Sequence, residues 1–352
     1  MGVLNLLFIK LFSRRCHSNR ISSVGIGFKD QEGEERFGSE NGKRGDEGPS
    51  KCYVRKWEEI VKATGNFSVL IGLGGFGNVY KGRLKWGRSS QKVAVKVVDC
   101  STGRQRLALG QELEVLLQLR HENVVKILGY CIDREEEGAL IFEYVSNGTI
   151  EDKLHPERSS CENRRRHCSS KILSWKNRVK ITFQLAQAIE YLHRNSIVHG
   201  DIKPSNVLLD ADLNCKLCDF GSAKKMGMPN RSSMSNCKNR NNRIMGSPGY
   251  ADPDYVRTGM ASEKNDVYGF GMVLLELVTG LEPFGINRNV LDSRSSEDID
   301  IVDPRLRGAF DIEEAKCLVK VARQCLQDSA VVRPSVACIR EIMSESIGPL
   351  NK

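Results

Sequence analysis

A change of hydrophobic rhythm near Gly148 is what most limits how this chain can fold. Before it, short apolar runs alternate. Val69–Leu73, Asn78–Arg83, Val93–Val98, Lys126–Cys131 and Ala139–Tyr144 each read as strands. One stretch among them, Gln105–Leu119, repeats at helical spacing, with Leu109, Leu113 and Leu116 on one face. After Gly148 the period lengthens. Trp175–His193, Val267–Val278, Ala315–Leu326 and Ser335–Met343 all read as helices. Strands first and helices afterwards predict an α+β chain in two lobes, a small β-rich one with one helix and a larger helical one.

Composition sets the outer limits. The 352 residues are 40% hydrophobic and 28% charged, ordinary for a globular chain. No run nears the ~18 apolar residues of a membrane span. Val267–Val278 is too short for one and contains Glu276, so it reads as a buried helix. The net charge of +9 is local. Residues 1–29 carry Lys10, Arg14, Arg15, Arg20 and Lys29 with no acid, and residues 222–246 carry Lys224, Lys225, Arg231, Lys238, Arg240 and Arg243 with no acid. The remainder is close to neutral, which argues against a general nucleic-acid binder. The 12 cysteines are scattered and read as reduced thiols of a cytosolic protein. Cys215 and Cys218 form a lone C-x-x-C without two further ligands at zinc spacing, and a strand accounts for the pair.

The organisation follows. Residues 1–50 read as a tail, apolar from Gly2 to Phe12 apart from Asn5 and Lys10, then basic, then polar and disordered over 30–50. Residues 51–346 read as the folded domain, with the small lobe over roughly 53–145 and the large one over 146–346, and 347–352 as a short end. Two polar insertions, Pro156–Lys171 and Met226–Ile244, read as surface loops.

Three signals carry chemistry. Gly72-Leu73-Gly74-Gly75-Phe76-Gly77 lies between two strand candidates. A dinucleotide fold opens a helix after such glycines, but here Val79-Tyr80-Lys81 continues as strand. A glycine hairpin lets backbone amides approach phosphate oxygens without Cβ clashes. Next, Lys96 interrupts the apolar run Val93-Ala94-Val95. A surface lysine is the bland reading. Glu112, bordering the buried face of Gln105–Leu119, outweighs it, because a buried carboxylate needs a partner and Lys96 suits. The third signal is His199-Gly200-Asp201-Ile202-Lys203-Pro204-Ser205-Asn206, followed by Asp219-Phe220-Gly221. Phosphoryl transfer needs a carboxylate to take a hydroxyl proton and oxygen ligands for Mg²⁺; Asp201, Asn206 and Asp219 supply both.

These motifs together resemble a eukaryotic protein kinase, and within that group the plant receptor-like and receptor-like cytoplasmic kinases, over Trp57 to Met343. Trp57–Ser68, Gly246-Ser247-Pro248-Gly249-Tyr250 with Asp252-Pro253-Asp254-Tyr255, Glu263–Tyr268 and Arg333-Pro334 extend the resemblance. It implies the bilobal kinase fold, with Gln105–Leu119 as its regulatory helix, and a serine/threonine-directed enzyme using ATP and Mg²⁺. It implies that Gly72, Gly74 and Gly77 cover the phosphates, and that Lys96 binds them and pairs with Glu112. Val79, Ala94 and Leu208 would sandwich the adenine, and the hinge Phe142–Val145, chiefly Glu143 and Val145, would read its edge. Asp201 would be the base, Lys203 would neutralise the γ-phosphate, and Asn206 and Asp219 would hold Mg²⁺. His199, Phe220 and Leu116 would stack as a spine, and the Ser247 hydroxyl would reach Asp201 and Lys203. Implied partners are a protein substrate with Ser or Thr and a membrane receptor kinase.

Three departures stand out. Gly200 replaces the arginine that usually precedes the base, Asp254 replaces a glutamate expected to pair with Arg333, and the stretch between Gly280 and Ile301 is short. The competing reading, a scaffold that binds nucleotide or partners without catalysis, is opposed by intact Lys96, Asp201, Asn206 and Asp219. The apolar and basic N-terminus, with Cys16 and Gly2 as candidate lipidation points, predicts a cytoplasmic protein touching the inner face of the plasma membrane; an acid-free basic start also suits an organelle-targeting peptide, the alternative reading.

Overall fold

The computed structural model describes residues 52–74, 77–86, 89–158, 172–226, 246–285 and 301–348. The tail 1–50, the glycine-loop tip Gly75-Phe76, most of both insertions and residues 286–300 lie outside these, and so do the expectations placed on them.

The first lobe is built on a six-stranded sheet of order β1-β5-β6-β4-β3-β2. Its strands are β1 (Tyr53–Val54), β2 (Leu70–Gly74), β3 (Gly77–Trp86), β4 (Ser89–Asp99), β5 (Ile127–Cys131) and β6 (Glu137–Glu143). Alternation along β4 sends its side chains two ways. Val93 and Val95 join Trp57, Ile60, Leu84 and Ile141 in one buried cluster. Lys96 reaches Glu112 on α2 (Gly103–Leu116). Trp57 and Ile60 belong to α1 (Trp57–Thr64), a second helix where the periodicity showed only one. It is eight residues long, too short to announce itself over a sequence window. Asp133 accepts from the Trp57 amide at 3.0 Å and so fastens the start of α1 to the end of β5. Thr102 and Gln105 close a reciprocal capping box at the start of α2.

β1 adds to β5 in parallel, Tyr53 opposite Gly129. A Cβ on Gly129 would stand 2.6 Å from the Tyr53 carbonyl oxygen, so only glycine lets β1 lie there.

The second lobe centres on α6 (Glu263–Thr279), flanked by α4 (Trp175–Arg194), α7 (Ile312–Cys325) and α8 (Val336–Ile347). Helices α3 (Ile150–Leu154) and α5 (Pro253–Thr258) are short. Two small sheets, β7 (Ile197–Val198) with β10 (Lys224–Lys225) and β8 (Val207–Leu209) with β9 (Cys215–Leu217), carry the loops of the site. Cys215 therefore stands in a strand, and burial pushes its thiol and that of Cys218 up, the latter to about 12.

Polar groups inside α6 are all answered. Asp266 accepts from the His199 and Gly200 amides, both at 2.8 Å, and lies 2.9 Å from His193 Nε2. Glu276 accepts from the Tyr250 hydroxyl and meets His155 Nε2 at 3.1 Å. Arg178, 1% exposed, bonds Asp303 at 2.6 Å and the carbonyls of Leu173 and Leu277 at 2.9 and 2.8 Å.

One expected pair is corrected. Arg333 grips Asp252, not Asp254, through two bonds of 2.7 and 2.8 Å. Asp252 is the N-cap of α5 and is buried, whereas Asp254 lies in the first turn and pairs with Arg257 three residues on, at 2.5 Å. A six-residue helix with Pro253 at its start turns the two carboxylates in different directions, which spacing alone did not show.

Candidate active site

The sheet and α2 meet at Lys96. Its Nζ lies 2.8 Å from Glu112 Oε1, 3.0 Å from Glu112 Oε2 and 2.8 Å from Asp219 Oδ1. Burial works against the ammonium, but the two carboxylates outweigh it and hold its pKa above the ordinary lysine value. Burial also pushes Asp219 up, yet the charge and hydrogen bond of Lys96 keep it below the usual carboxylate range. Asp219 has φ +63, a left-handed backbone at the mouth of the Phe220–Ser222 turn.

Asp201 is held through both carboxylate oxygens. Oδ1 accepts from the Ser247 hydroxyl at 2.9 Å and the Ser247 amide at 3.2 Å. Oδ2 meets Lys203 Nζ at 2.7 Å and Asn206 Nδ2 at 3.2 Å. Lys203 also donates to Ser247 Oγ at 2.6 Å. The reach expected of the Ser247 hydroxyl to both residues is therefore present. Asn206 gives its amide hydrogens to Asp201 and its carbonyl, the latter at 2.8 Å, which fixes the amide oxygen on the other side with no donor among the described residues.

The β2–β3 hairpin sets Gly74 opposite Gly77 and Gly72 opposite Val79. Val79 pairs with Lys96 and Ala94 with Phe142, so the glycine hairpin, the lysine strand and the hinge are in fixed register. Val79, Ala94, Val145 and Leu208 are each half-buried. His199 and Phe220 meet edge to face, centroids 4.9 Å apart, and Leu116 is 2% exposed beside the same interior.

The protein kinase domain family matches residues 66–346. The chain belongs to the protein kinase family. The kinase is 42% identical over 323 residues to a probable receptor-like protein kinase of Arabidopsis thaliana, covering 85% of this chain and 90% of that protein. It is 43% identical over 305 residues to salt tolerance receptor-like cytoplasmic kinase 1 of Oryza sativa subsp. japonica, 84% of this chain and 80% of that one. An EPD1-interacting receptor-like cytoplasmic serine/threonine-protein kinase of Nicotiana benthamiana is 36% identical over 326 residues, 85% and 66% covered. The kinase is thus a signalling enzyme of the receptor-like cytoplasmic group that phosphorylates protein serine or threonine. No described helix is long and apolar enough to cross a membrane.

Sequence reasoning missed several contacts around this site. Lys216 of β9 lies 3.1 Å from Glu143 Oε1, and Lys81 of β3 lies over the Tyr144 ring, 4.8 Å from its centroid. His155, Glu276 and Tyr250 form a buried chain from α3 to the substrate-side loop. Only Glu276 left a signal, as a carboxylate in an apolar helix.

Proposed function

We propose that this kinase binds MgATP in the slot between the β2–β3 hairpin and Leu208, and passes the γ-phosphate to a Ser or Thr hydroxyl presented beside Asp201. The unit doing so spans 51–346. The observation that carries the reading is the Asp201 carboxylate oriented by Ser247, Lys203 and Asn206, together with Lys96 engaged by Glu112 and Asp219.

The residues present fit a hard dication. Asp219 offers a carboxylate and Asn206 an amide oxygen whose own N–H groups are already spent on Asp201, and phosphate oxygens and water complete such a set. Asp219 and Asn206 would hold Mg²⁺, which would supply positive charge against the phosphates. The chain's own groups do the rest. Lys96 anchors the phosphates, and Glu112 keeps its ammonium in place. Lys203 sets a positive charge beside the reacting oxygens, and Asp201 accepts the hydroxyl proton, its direction fixed by Ser247. Gly72, Gly74 and Gly77 cover the phosphates, Val79, Ala94 and Leu208 hold the base, and the backbone of Glu143 and Val145 reads its edge.

Transfer of labelled phosphate from MgATP to a serine- and threonine-bearing acceptor tests this. Wild type should label the acceptor on Ser or Thr only with Mg²⁺ present, and Asp201→Asn should not. Activity retained in Asp201→Asn would refute the base. A receptor kinase as partner and contact of residues 1–30 with anionic membrane belong to the same proposal. A fluorescent fusion of those residues should decorate the plasma membrane, and import into an organelle would overturn that part.

A further inference from the structure

We propose that Lys81 and Lys216 are positioning residues that hold the hinge between the roof and the floor of the nucleotide slot. The inference rests on the reading that the base lies in that slot.

The two lysines come from opposite walls. In β3, Lys81 is two residues from Val79 and so shares its face, and its cross-strand neighbour is Ala94; both neighbours are roof residues. In β9, Lys216 stands opposite Leu208, the floor. Each lysine reaches the hinge, and they take consecutive residues. Lys216 Nζ meets Glu143 Oε1 at 3.1 Å and donates to the Glu122 carbonyl at 3.0 Å, in the loop that follows α2. Glu143 Oε1 also accepts from the Lys126 amide at 2.9 Å, and the Glu143 amide donates to the Lys126 carbonyl at 3.0 Å. Lys81 lies over Tyr144, 4.8 Å from the ring centroid. The hinge is thus fastened upward by a cation on a ring and downward by an ion pair.

The bland alternative is that both are solvating lysines. Their geometry speaks against it. The Lys216 and Glu143 side chains are only 18% and 24% exposed, so their attraction is less screened than a surface pair's. Among the described residues, Lys216 meets Glu143 and Glu122 and Lys81 meets Tyr144, and neither contacts Asp201, Lys203, Asn206 or Asp219. Loss of either clip should therefore loosen the grip on the base and leave the transfer step alone.

The test uses the full chain. Lys81→Met and Lys216→Met should each raise the KM for MgATP about threefold, and the double variant on the order of tenfold, with kcat within about twofold. Calorimetric affinity for MgADP should weaken in parallel. Lys81→Arg and Lys216→Arg keep the charge and should restore wild-type KM. Tyr144→Leu removes the ring and should match Lys81→Met. Melting without nucleotide reports whether each variant is folded, and the arginine forms decide the matter if a methionine form is not. Unchanged KM and MgADP affinity in the double variant overturn the inference. So does a rise in kcat at constant KM, which would make the contacts a restraint on lobe motion. A wild type that neither binds MgADP nor transfers phosphate overturns both this inference and the proposed function. An active wild type with unaltered variants overturns this inference alone.

Discussion

Two buried cations, Lys96 in the first lobe and Arg178 in the second, face the same physical problem and solve it differently. Arg178 is closed off: it and Asp303 are each 1% exposed, and its guanidinium is used up by Asp303 and two carbonyls. Lys96 is a point charge between two carboxylates, of which Glu112 is 4% exposed but Asp219 is 30% exposed. A fork of fixed donors suits a joint that never changes partner, and a compact ammonium on a flexible stem suits one that must accept a ligand. The difference teaches where to look for chemistry: a buried charge with one partner still open to solvent is a site, and a saturated one is a rivet.

That contrast can be broken from either side. Arg178→Met takes one of two cations from buried Asp303, which keeps Arg305, and strips the Leu173 and Leu277 carbonyls of a donor; it should cost about 3 kcal/mol in denaturant unfolding. Stability equal to wild type would show the pair is no rivet. Lys96→Met should lower phosphoryl transfer on the order of 10²- to 10³-fold while costing less stability than Arg178→Met. The stability loss is limited because burial already pushes the Glu112 carboxyl up, so it can protonate once its partner is gone. An active Lys96→Met protein would remove the phosphate clamp from the scheme. Asp219→Asn keeps a residue type that tolerates the left-handed backbone but offers a poorer ligand to a dication. The melting-temperature gain of wild type with Mg²⁺·ATP should vanish in it, and a full gain would exclude the metal role.

Acid treats Asp219 and Asp303 alike. Burial pushes Asp219 and Asp303 up, but their cations hold each below the usual carboxylate value. Such groups contribute stability above the ordinary carboxylate pKa near 4 and lose it as pH falls through their depressed folded values. The stability gap between wild type and Asp303→Asn should therefore be constant from neutral pH down to about 4 and shrink below it. A gap that closed well above that window would contradict the pairing.

The smallest effect is expected at a third cation. Lys224 has a phenolic contact with Tyr255 at 3.5 Å and no carboxylate within ion-pair distance among the described residues. Beside it Gly200, at φ +81, has no room for a side chain, since a Cβ would stand 2.9 Å from the Ser222 carbonyl oxygen. With no arginine there to receive a phosphate, replacing Ser232, Ser233 and Ser235 by alanine should leave the catalytic rate within about threefold, under ~1 kcal/mol in the barrier. Those serines lie outside the described residues. Loss of most activity in a folded triple variant, restored by acidic substitutions, would make that loop a phosphate switch.

The lobes were legible because their signals are long. The twenty-residue α4 and the apolar α6 repeat over several turns, and the β3–β4 register follows from two alternating runs. Lys96 with Glu112 was legible because a carboxylate on an apolar face demands a partner. What sequence could not show depends on direction. The eight residues of α1 are too few to display a period, and Asp252 and Asp254 differ only in which way one turn points them. Lys81 and Lys216 sit in strands where a lysine is unremarkable until the hinge is folded against it.

The bare Cα of Gly129 has a consequence for handling the protein. With β1 in place the sheet ends on a two-residue strand; without it, β5 becomes a raw border with its backbone donors and acceptors unclaimed. Such a border invites a neighbour's strand. A shortened chain beginning at Trp57, or a full chain with any side chain at position 129, would keep its catalytic residues and still be prone to clump, a hazard governed by concentration.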